Sequence, residues 1–308
     1  MSTLNDAFSG LKSNLELSDT LQDVVTTRHT AIRSYVQNQI PNTTTQLIGS
    51  LQRKTRIHPR LDDKFDIDIL VVLGAFENWS HTGQGINPDQ AMHQTYEVIE
   101  ESSRYEKLKP TIDHPTITLK YADQIVVELV PAYLDNIGYD QRGFQTAPKG
   151  RGFWVPKKGN WIFADYNHDA STITSKNMEM NALLIPTIKM LKALKRIHFP
   201  QMNSFHLEVL ATVWLPLVYS ANLESGIQTT YSNLMRDFFS WTIDLLDHPV
   251  CLSDSKTPKI CLDPLHSQSV RRSLDVLSRQ VNTITNYPTE SLQVEGWRDL
   301  FDGVMPKI

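Results

Sequence analysis

The order of apolar and polar positions divides this chain into two stretches of different character. Residues 18–40, SDTLQDVVTTRHTAIRSYVQNQI, place Leu21, Val24, Val25, Ile32, Val36 and Ile40 at near-helical spacing behind Ser18 and Asp19, which predicts a capped helix. TTTQLIGS then reads as a short β-branched strand ending in Gly49-Ser50. The clearest strand is KFDIDILVVL (64–73), where Phe65, Ile67 and Ile69 alternate with Asp66 and Asp68 before the run turns wholly apolar. PDQAMHQTYEVIEESSRYEKL (88–108) predicts a helix opened by Pro88, and TITLKY and QIVVELVPAY predict two more strands. An irregular Gly/Lys-rich stretch follows to Asn160. From Ser175 the pattern is helical, over roughly 175–198, 204–221, 228–246, 267–285 and 290–302.

Mixed strands and helices first, with helices nearly alone afterwards, predict an α+β fold. The expected division is an N-terminal helix and mixed-sheet lobe over 1–160 and a helical lobe over 161–308, with the turn-rich 135–160 region as the boundary. The first helix is able to brace both lobes.

Composition narrows the class. At 308 residues, 40% hydrophobic and 21% charged, the chain has the profile of a globular protein rather than a disordered or fibrous one. Two cysteines, Cys251 and Cys261, exclude a disulfide framework and a Cys-rich zinc module. The start, MSTLNDAFSGLKSNLEL, lacks the pattern of a signal peptide, and the apolar run LATVWLPLVY is too short to span a bilayer. A cytoplasmic protein with no membrane partner is the expectation. The net charge of −4 argues against bulk duplex binding, though not against a local basic groove.

Charge is unevenly placed. Arg53, Lys54, Arg56 and Arg60 fall in an acid-free run over 49–60, as do Arg142, Lys149, Arg151, Lys157 and Lys158 over 141–160, and Lys189, Lys192, Lys195 and Arg196. Between the first two lies LDDKFDID (61–68), with four aspartates in eight residues. Such flanking suits a site for polyphosphate with metal, and the same runs also suit solvated loops and helix faces.

Asp66 and Asp68, one residue apart on a strand, point to the same side about 6–7 Å apart. Paired carboxylates there can hold hard cations such as Mg²⁺, which prefer oxygen ligands and substrate phosphates. A lone D-x-D is common, and its context strengthens it: Asp66 follows Ser50 by sixteen positions, on the strand after the one that ends in Gly49-Ser50. Gly49 lets the backbone approach a ligand, and Ser50 offers an N–H and a hydroxyl to a phosphate. Glu128 in VVELVPAY is placed to supply a third carboxylate, its neighbours Val127 and Leu129 turning into the core. Asp123, five residues earlier, would face the other way, and Asp135 lies past Pro131. No G-x-x-x-x-G-K-[ST] occurs, which excludes a P-loop NTPase.

These residues resemble the CD-NTases, bacterial relatives of cyclic GMP–AMP synthase and oligoadenylate synthetase among the DNA polymerase β-like nucleotidyltransferases. The likeness runs through G-S, R-x-T (Arg53, Thr55) and D-x-D in GSLQRKTRIHPRLDDKFDIDILVVL. It continues in VVELVPAY, GNWIFADYNH, LLIPTIKMLKALKR and SFHLEVL, in order over residues 47–210. The resemblance implies a two-lobed polymerase β-like fold with the active site in the cleft. It implies that Gly49 and Ser50 hold the donor phosphates and that Asp66, Asp68 and Glu128 hold two Mg²⁺ ions, with Mn²⁺ as a substitute. Lys192 takes the place of a phosphate-binding lysine, with a solvated helix face as the other reading and Lys189 and Lys195 as neighbours able to substitute. Tyr231 falls near an aromatic that stacks a base in relatives, or packs in the core. Trp161, Asp165 and His168 match a motif that usually holds a proline, absent here, and take a structural role.

The third carboxylate is usually Asp. Glu128 leaves an active enzyme with compensated geometry, or a slow or silent binder. The implied activity joins NTPs, ATP among them, into a cyclic or linear oligonucleotide messenger for antiphage (CBASS) signalling through a downstream effector. A nucleic-acid activator is not expected. The alternatives are a toxin-like nucleotidyltransferase acting on RNA or protein, and a silent nucleotide-binding regulator. The ending VMPKI, not a small residue, speaks against C-terminal conjugation of the kind described for some relatives.

Overall fold

The computed structural model describes residues 3–61, 63–76, 87–135, 138–139, 145–146, 152–252, 255 and 257–306. In chain order the elements are α1 (Leu4–Leu15), α2 (Asp19–Gln39), β1 (Thr44–Leu47), the single turn α3 (Gly49–Gln52), β2 (Phe65–Ala75), α4 (Pro88–Glu100), β3 (Thr111–Asp113), β4 (Thr116–Lys120), β5 (Ile125–Asp135), β6 (Gly138–Tyr139), β7 (Gln145–Thr146), β8 (Gly152–Lys157) and β9 (Asn160–Ala164). Helices α5 (Tyr166–Glu179), α6 (Leu184–His198), α7 (Ser204–Glu224), α8 (Tyr231–Leu245), α9 (Ser267–Thr285) and α10 (Glu290–Leu300) complete it. Local chemistry sets the helix starts. Thr3 and Asp6 form a capping box at α1, Ser18 accepts the Leu21 N–H at α2, and Asn87 and Gln90 form a second box at α4 with Pro88 in the first turn.

The main sheet runs β1-β2-β5-β4-β3, with β8 paired to the far end of β5 and β9 to β8. Only β2 and β5 are parallel among these pairs, so the sheet is mixed. Phe65, Ile67, Ile69, Ile125, Val127 and Leu129 bury one face against Val25, Ile32 and Val36 of α2 and Met92 and Ile99 of α4. The opposite face carries Leu70, Val72, Val130 and Ala132 under Ile48, Phe153, Val155 and Ala164. That apolar cover stops short of the strands' beginnings, where Asp66, Asp68 and Glu128 stand.

Helices α5–α10 share a second core, and α1 belongs to it. Ala7, Phe8, Leu11 and Leu15 pack there with Leu191, Phe238 and Trp297, the ring of Phe8 lying edge-on to Trp297 at 5.4 Å. The expected division at 160 therefore differs from the observed cores in two respects. The sheet continues to Ala164, because β9 hydrogen-bonds β8, and the first twelve-residue helix packs with the helical part. Bracing is shared between two helices, α1 on the helical core and α2 on the sheet.

The segment expected as one helix over 175–198 is two. Asn181 and Ala182 both take left-handed backbone angles (φ 49° and 63°), which ends α5 and re-aims α6. The helix expected over 88–108 stops at Glu100, with a separate 3₁₀ turn at Glu106–Leu108. No helix among the described residues is long and apolar enough to cross a membrane. Asp62, Arg142, Lys149 and Arg151 of the charge clusters lie outside the described residues.

Candidate active site

Strand alternation fixes the acids. Ile67 and Ile69 are fully buried on one face of β2, which turns Asp66 and Asp68 to the other. Parallel pairing sets Asp68 directly beside Glu128 of β5, with Thr118 of β4 on the far side of Glu128. Three carboxylates thus share one sheet face. Burial, and then repulsion from Asp66, push the Asp68 carboxyl up to about 6. Burial, and then the charges of Asp68 and Asp66, push Glu128 up to about 7.

The turn after β1 closes on this face. The Ile48 N–H donates to the Asp68 carbonyl (3.0 Å), and Gly49 follows at φ +69°. A Cβ at position 49 would sit 2.1 Å from Asp68 Oδ2, so no side chain fits between turn and carboxylate. Beside it the Arg56 guanidinium lies 3.7 Å from Asp66 Oδ2 and 4.0 Å from the centre of the Phe65 ring.

A cavity of about 660 Å³ opens between this face and helices α6 and α7. Gly49, Ser50, Asp66, Asp68, Arg53, Arg56, Lys192, Lys195 and Arg196 are among its lining residues. Glu128 is not among them; it stands one strand behind Asp68. Lys192 reaches the cavity wall buried, at 7% exposure, with its ammonium 2.6 Å from Glu208 and 3.1 Å from both the Thr55 carbonyl and hydroxyl. Glu208 also accepts from Arg53 (2.8 and 3.2 Å) and from the Thr55 hydroxyl (2.9 Å). Burial alone would raise Glu208; the charges of Lys192 and Arg53 overcome it and hold the carboxyl at about 2. Lys195, one turn on, donates to the Ser204 hydroxyl (3.1 Å), and burial pushes its ammonium down. Arg196 is paired with Asp63 (2.8 Å), and Lys189 with Glu16 (2.6 Å) on a different cavity.

Tyr231 is not brought to this cavity. It opens α8 half-buried, its ring 6.1 Å from that of Phe8 against the helical core. Asp123 forms a two-pronged pair with Arg28 (2.7 Å each) before β5 begins, and Asp135 accepts from Trp154 Nε1 (3.3 Å). The ring of Trp161 lies edge-on to Tyr133, and Asp165 is buried at the start of α5. Sequence reasoning assigned no role to Glu208, named Arg53 only in a basic run and a motif, and named Thr55 only in that motif. A single carboxylate inside SFHLEVLATVWLPLVY was the available signal, since a charge in an apolar helix demands partners.

The donor set fits hard divalent cations. The acids are all oxygen donors, and Asp68 and Glu128 have no ion-pair partner among the described residues. No three of the described His, Cys, Asp or Glu side chains form a ready-made cage. Mg²⁺ is commonly held by one or two carboxylates, with waters and substrate phosphates sharing the ion.

The family model for the Second Messenger Oligonucleotide or Dinucleotide Synthetase (SMODS) domain matches residues 1–155. Among solved structures, Bradyrhizobium diazoefficiens CdnG in complex with GTP superposes at a TM-score of 0.69 and 14% identity, over 98% of this chain and 97% of its own. CdnC of E. coli MS115-1, solved with ATP, gives 0.66 and 14% over 98% and 99%. Vibrio cholerae DncV cyclic AMP-GMP synthase, solved with a linear intermediate, gives 0.64 and 11% over 99% and 87%. A sequence search of curated proteins returns no match. The structural matches establish the polymerase β-type nucleotidyltransferase fold. With half its length matched by the family model, the chain belongs to the SMODS family, the CD-NTases, and is a nucleotidyltransferase.

Proposed function

We propose that the cavity binds nucleoside triphosphates and joins them into a cyclic or linear oligonucleotide messenger for antiphage (CBASS) signalling through a downstream effector. The observation that carries this reading is the placement of Asp66 and Asp68, closed by the Gly49–Ser50 turn, in one cavity with Lys195, while Glu128 stands beside Asp68 one strand behind. Ser50 offers its N–H and hydroxyl to the donor's phosphates. Lys195, whose ammonium has one hydrogen-bond partner among the described residues, the Ser204 hydroxyl, supplies the cation for them, while Lys192 stays paired with Glu208 inside the wall. Asp66 and Asp68 would hold divalent ions, two Mg²⁺ or Mn²⁺, with Glu128 reaching the acceptor side. When bound, such ions supply positive charge to the acceptor oxygen and the leaving pyrophosphate. The protein's own part is positioning and charge stabilisation, as in other phosphoryl chemistry. ATP and GTP in the CdnC and CdnG structures support NTPs as substrates.

The test is incubation of pure protein with labelled ATP, GTP, CTP and UTP, singly and mixed, with Mg²⁺ or Mn²⁺, beside an Asp66→Asn/Asp68→Asn control. A phosphatase-resistant product absent from the control supports cyclic synthesis and names the bases. NTP binding without product would favour the silent regulator, and label transferred to RNA or protein the toxin-like reading.

A further inference from the structure

Helix α7 is apolar on nearly every side, so Glu208 in its second turn is buried, at 1% exposure. A carboxylate in such a place persists only when fully paired. Its two oxygens receive Arg53 Nε and Nη2, the Thr55 hydroxyl and Lys192 Nζ, at 2.6–3.2 Å. Two of these partners continue into the candidate site through the backbone. The Arg53 N–H donates to the Gly49 carbonyl (3.2 Å) and the Thr55 N–H to the Ser50 carbonyl (3.0 Å). Lys192 Nζ holds the Thr55 carbonyl as well. A path of direct bonds therefore runs from α7, through Glu208, to Gly49, which lies against the Asp68 carboxylate, and to Ser50 beside it.

We infer that Glu208 is a positioning residue for nucleotide binding: it fixes the Gly49–Ser50 turn against the helical lobe through Arg53 and Thr55, with Lys192 as the counter-charge that makes its burial possible. It touches no substrate in this scheme. The inference rests on the reading that this turn receives nucleotide phosphates. It also separates two roles one turn apart on α6, Lys192 stabilising the anchor and Lys195 facing the ligand.

Glu208→Gln leaves one acceptor oxygen where there were two and sets two N–H groups among donors. Lys192→Met/Glu208→Gln also removes one of the cations left unpaired, and Thr55→Val cuts one link without burying a charge. The readouts are Tm and, by calorimetry with Mg²⁺, the Kd of non-hydrolysable analogues of ATP, GTP, CTP and UTP. KM and kcat follow where the wild type makes product. Glu208→Gln is expected to lower Tm by roughly 5–10 °C and to raise the Kd of the best-bound analogue about tenfold. The double variant is expected to regain most of the lost Tm while its Kd stays raised, because replacing both partners of a buried pair is far less costly than removing one. Thr55→Val is expected to raise Kd about fivefold, to shift Tm little, and to act through KM more than kcat.

A Kd that returns to the wild-type value together with Tm in the double variant would make Glu208 merely structural and overturn the inference. So would a wild-type Kd in Thr55→Val, which decides the matter if Glu208→Gln fails to fold. Wild-type protein that binds none of the four analogues would instead remove the nucleotide reading itself.

Discussion

Gly49 and Gly226 have nearly the same left-handed backbone, φ +69° and +67°, in opposite surroundings. An alanine at Gly226 would meet nothing within 4 Å. At Gly49 its Cβ would lie 2.1 Å from Asp68 Oδ2 and 2.9 Å from Asp68 Cγ. Both substitutions pay the same conformational cost, about 1–2 kcal/mol for a left-handed alanine, or roughly 2–8 °C in Tm. Only Gly49→Ala must also move the Asp68 carboxylate, by about 1 Å if an ordinary non-bonded contact is to be restored. A misplacement of that size at a reacting centre costs on the order of 10²-fold in rate. Gly49→Ala should therefore melt somewhat below Gly226→Ala, because the overlap adds to the shared backbone cost, and the two should differ about a hundredfold in initial rate with labelled NTPs at a temperature where both stay folded. Rates within threefold of each other would show that the Asp68 position does not govern catalysis and would refute the assignment of the site.

Four further expectations can be checked with the same protein. Glu128→Gln should lower kcat by about 10²-fold or more, while Glu128→Asp, one methylene shorter but still charged, should keep most activity; an active Gln variant would remove Glu128 from the chemistry. Lys195→Met should raise the KM for NTP roughly tenfold or more, as for a lost charge-assisted hydrogen bond, with Tm unchanged; an unchanged KM would point to another cation. Metal-free protein should gain stability as pH falls, because the folded Asp68 and Glu128, raised to about 6 and about 7 from 3.8 and 4.5, bind protons that the unfolded chain has released. Below about pH 4.5 the trend should reverse as Glu208, held near 2, is protonated in the unfolded chain first, and Mg²⁺ should raise Tm more at pH 8 than at pH 5.5; a flat profile in thermal melts would contradict both. Phe8→Ala should cost about 3–5 kcal/mol in denaturant unfolding with KM unaltered, since Phe8 fills the helical core against Trp297.

Much of the sheet lobe was legible because one strand carries two periods of information. In FDIDILVV the apolar alternation marks the buried face, and the same alternation places Asp66 and Asp68 together. Val127 and Leu129, both fully buried, likewise left Glu128 on the outer face. Neighbouring strands are another matter: that Asp68 stands beside Glu128 follows from a parallel pairing across sixty residues, which no local pattern specifies. The direction of the α6 lysines was equally hidden. Lys189, Lys192 and Lys195 recur every three residues, and only the packed helix shows one paired with Glu16 just past α1, one with Glu208 of α7 and one facing the cavity. The left-handed Ala182 that splits 175–198 has no signature, since alanine ordinarily favours the helix.

The distribution of paired and unpaired charge gives the site its direction. Arg56 lies by Asp66, Arg196 is committed to Asp63, and Arg53 and Lys192 to Glu208, so most of the cavity's basic wall is already matched within the protein. What remains unmatched is separated in space. Asp68 and Glu128 have no ion-pair partner among the described residues, and their raised carboxyls register first the cost of burying them and then that of holding like charges together. Lys195 faces the cavity that Asp68 lines, from the helical side, with only the Ser204 hydroxyl as a partner among the described residues. A simple anion would relieve Lys195 and aggravate the carboxylates; a bare cation would do the reverse. A triphosphate carrying divalent ions answers both ends at once. On this ground nucleotide and metal should bind with positive coupling, each tightening the other's Kd in calorimetric titrations of Asp66→Asn/Asp68→Asn far less than in the wild type.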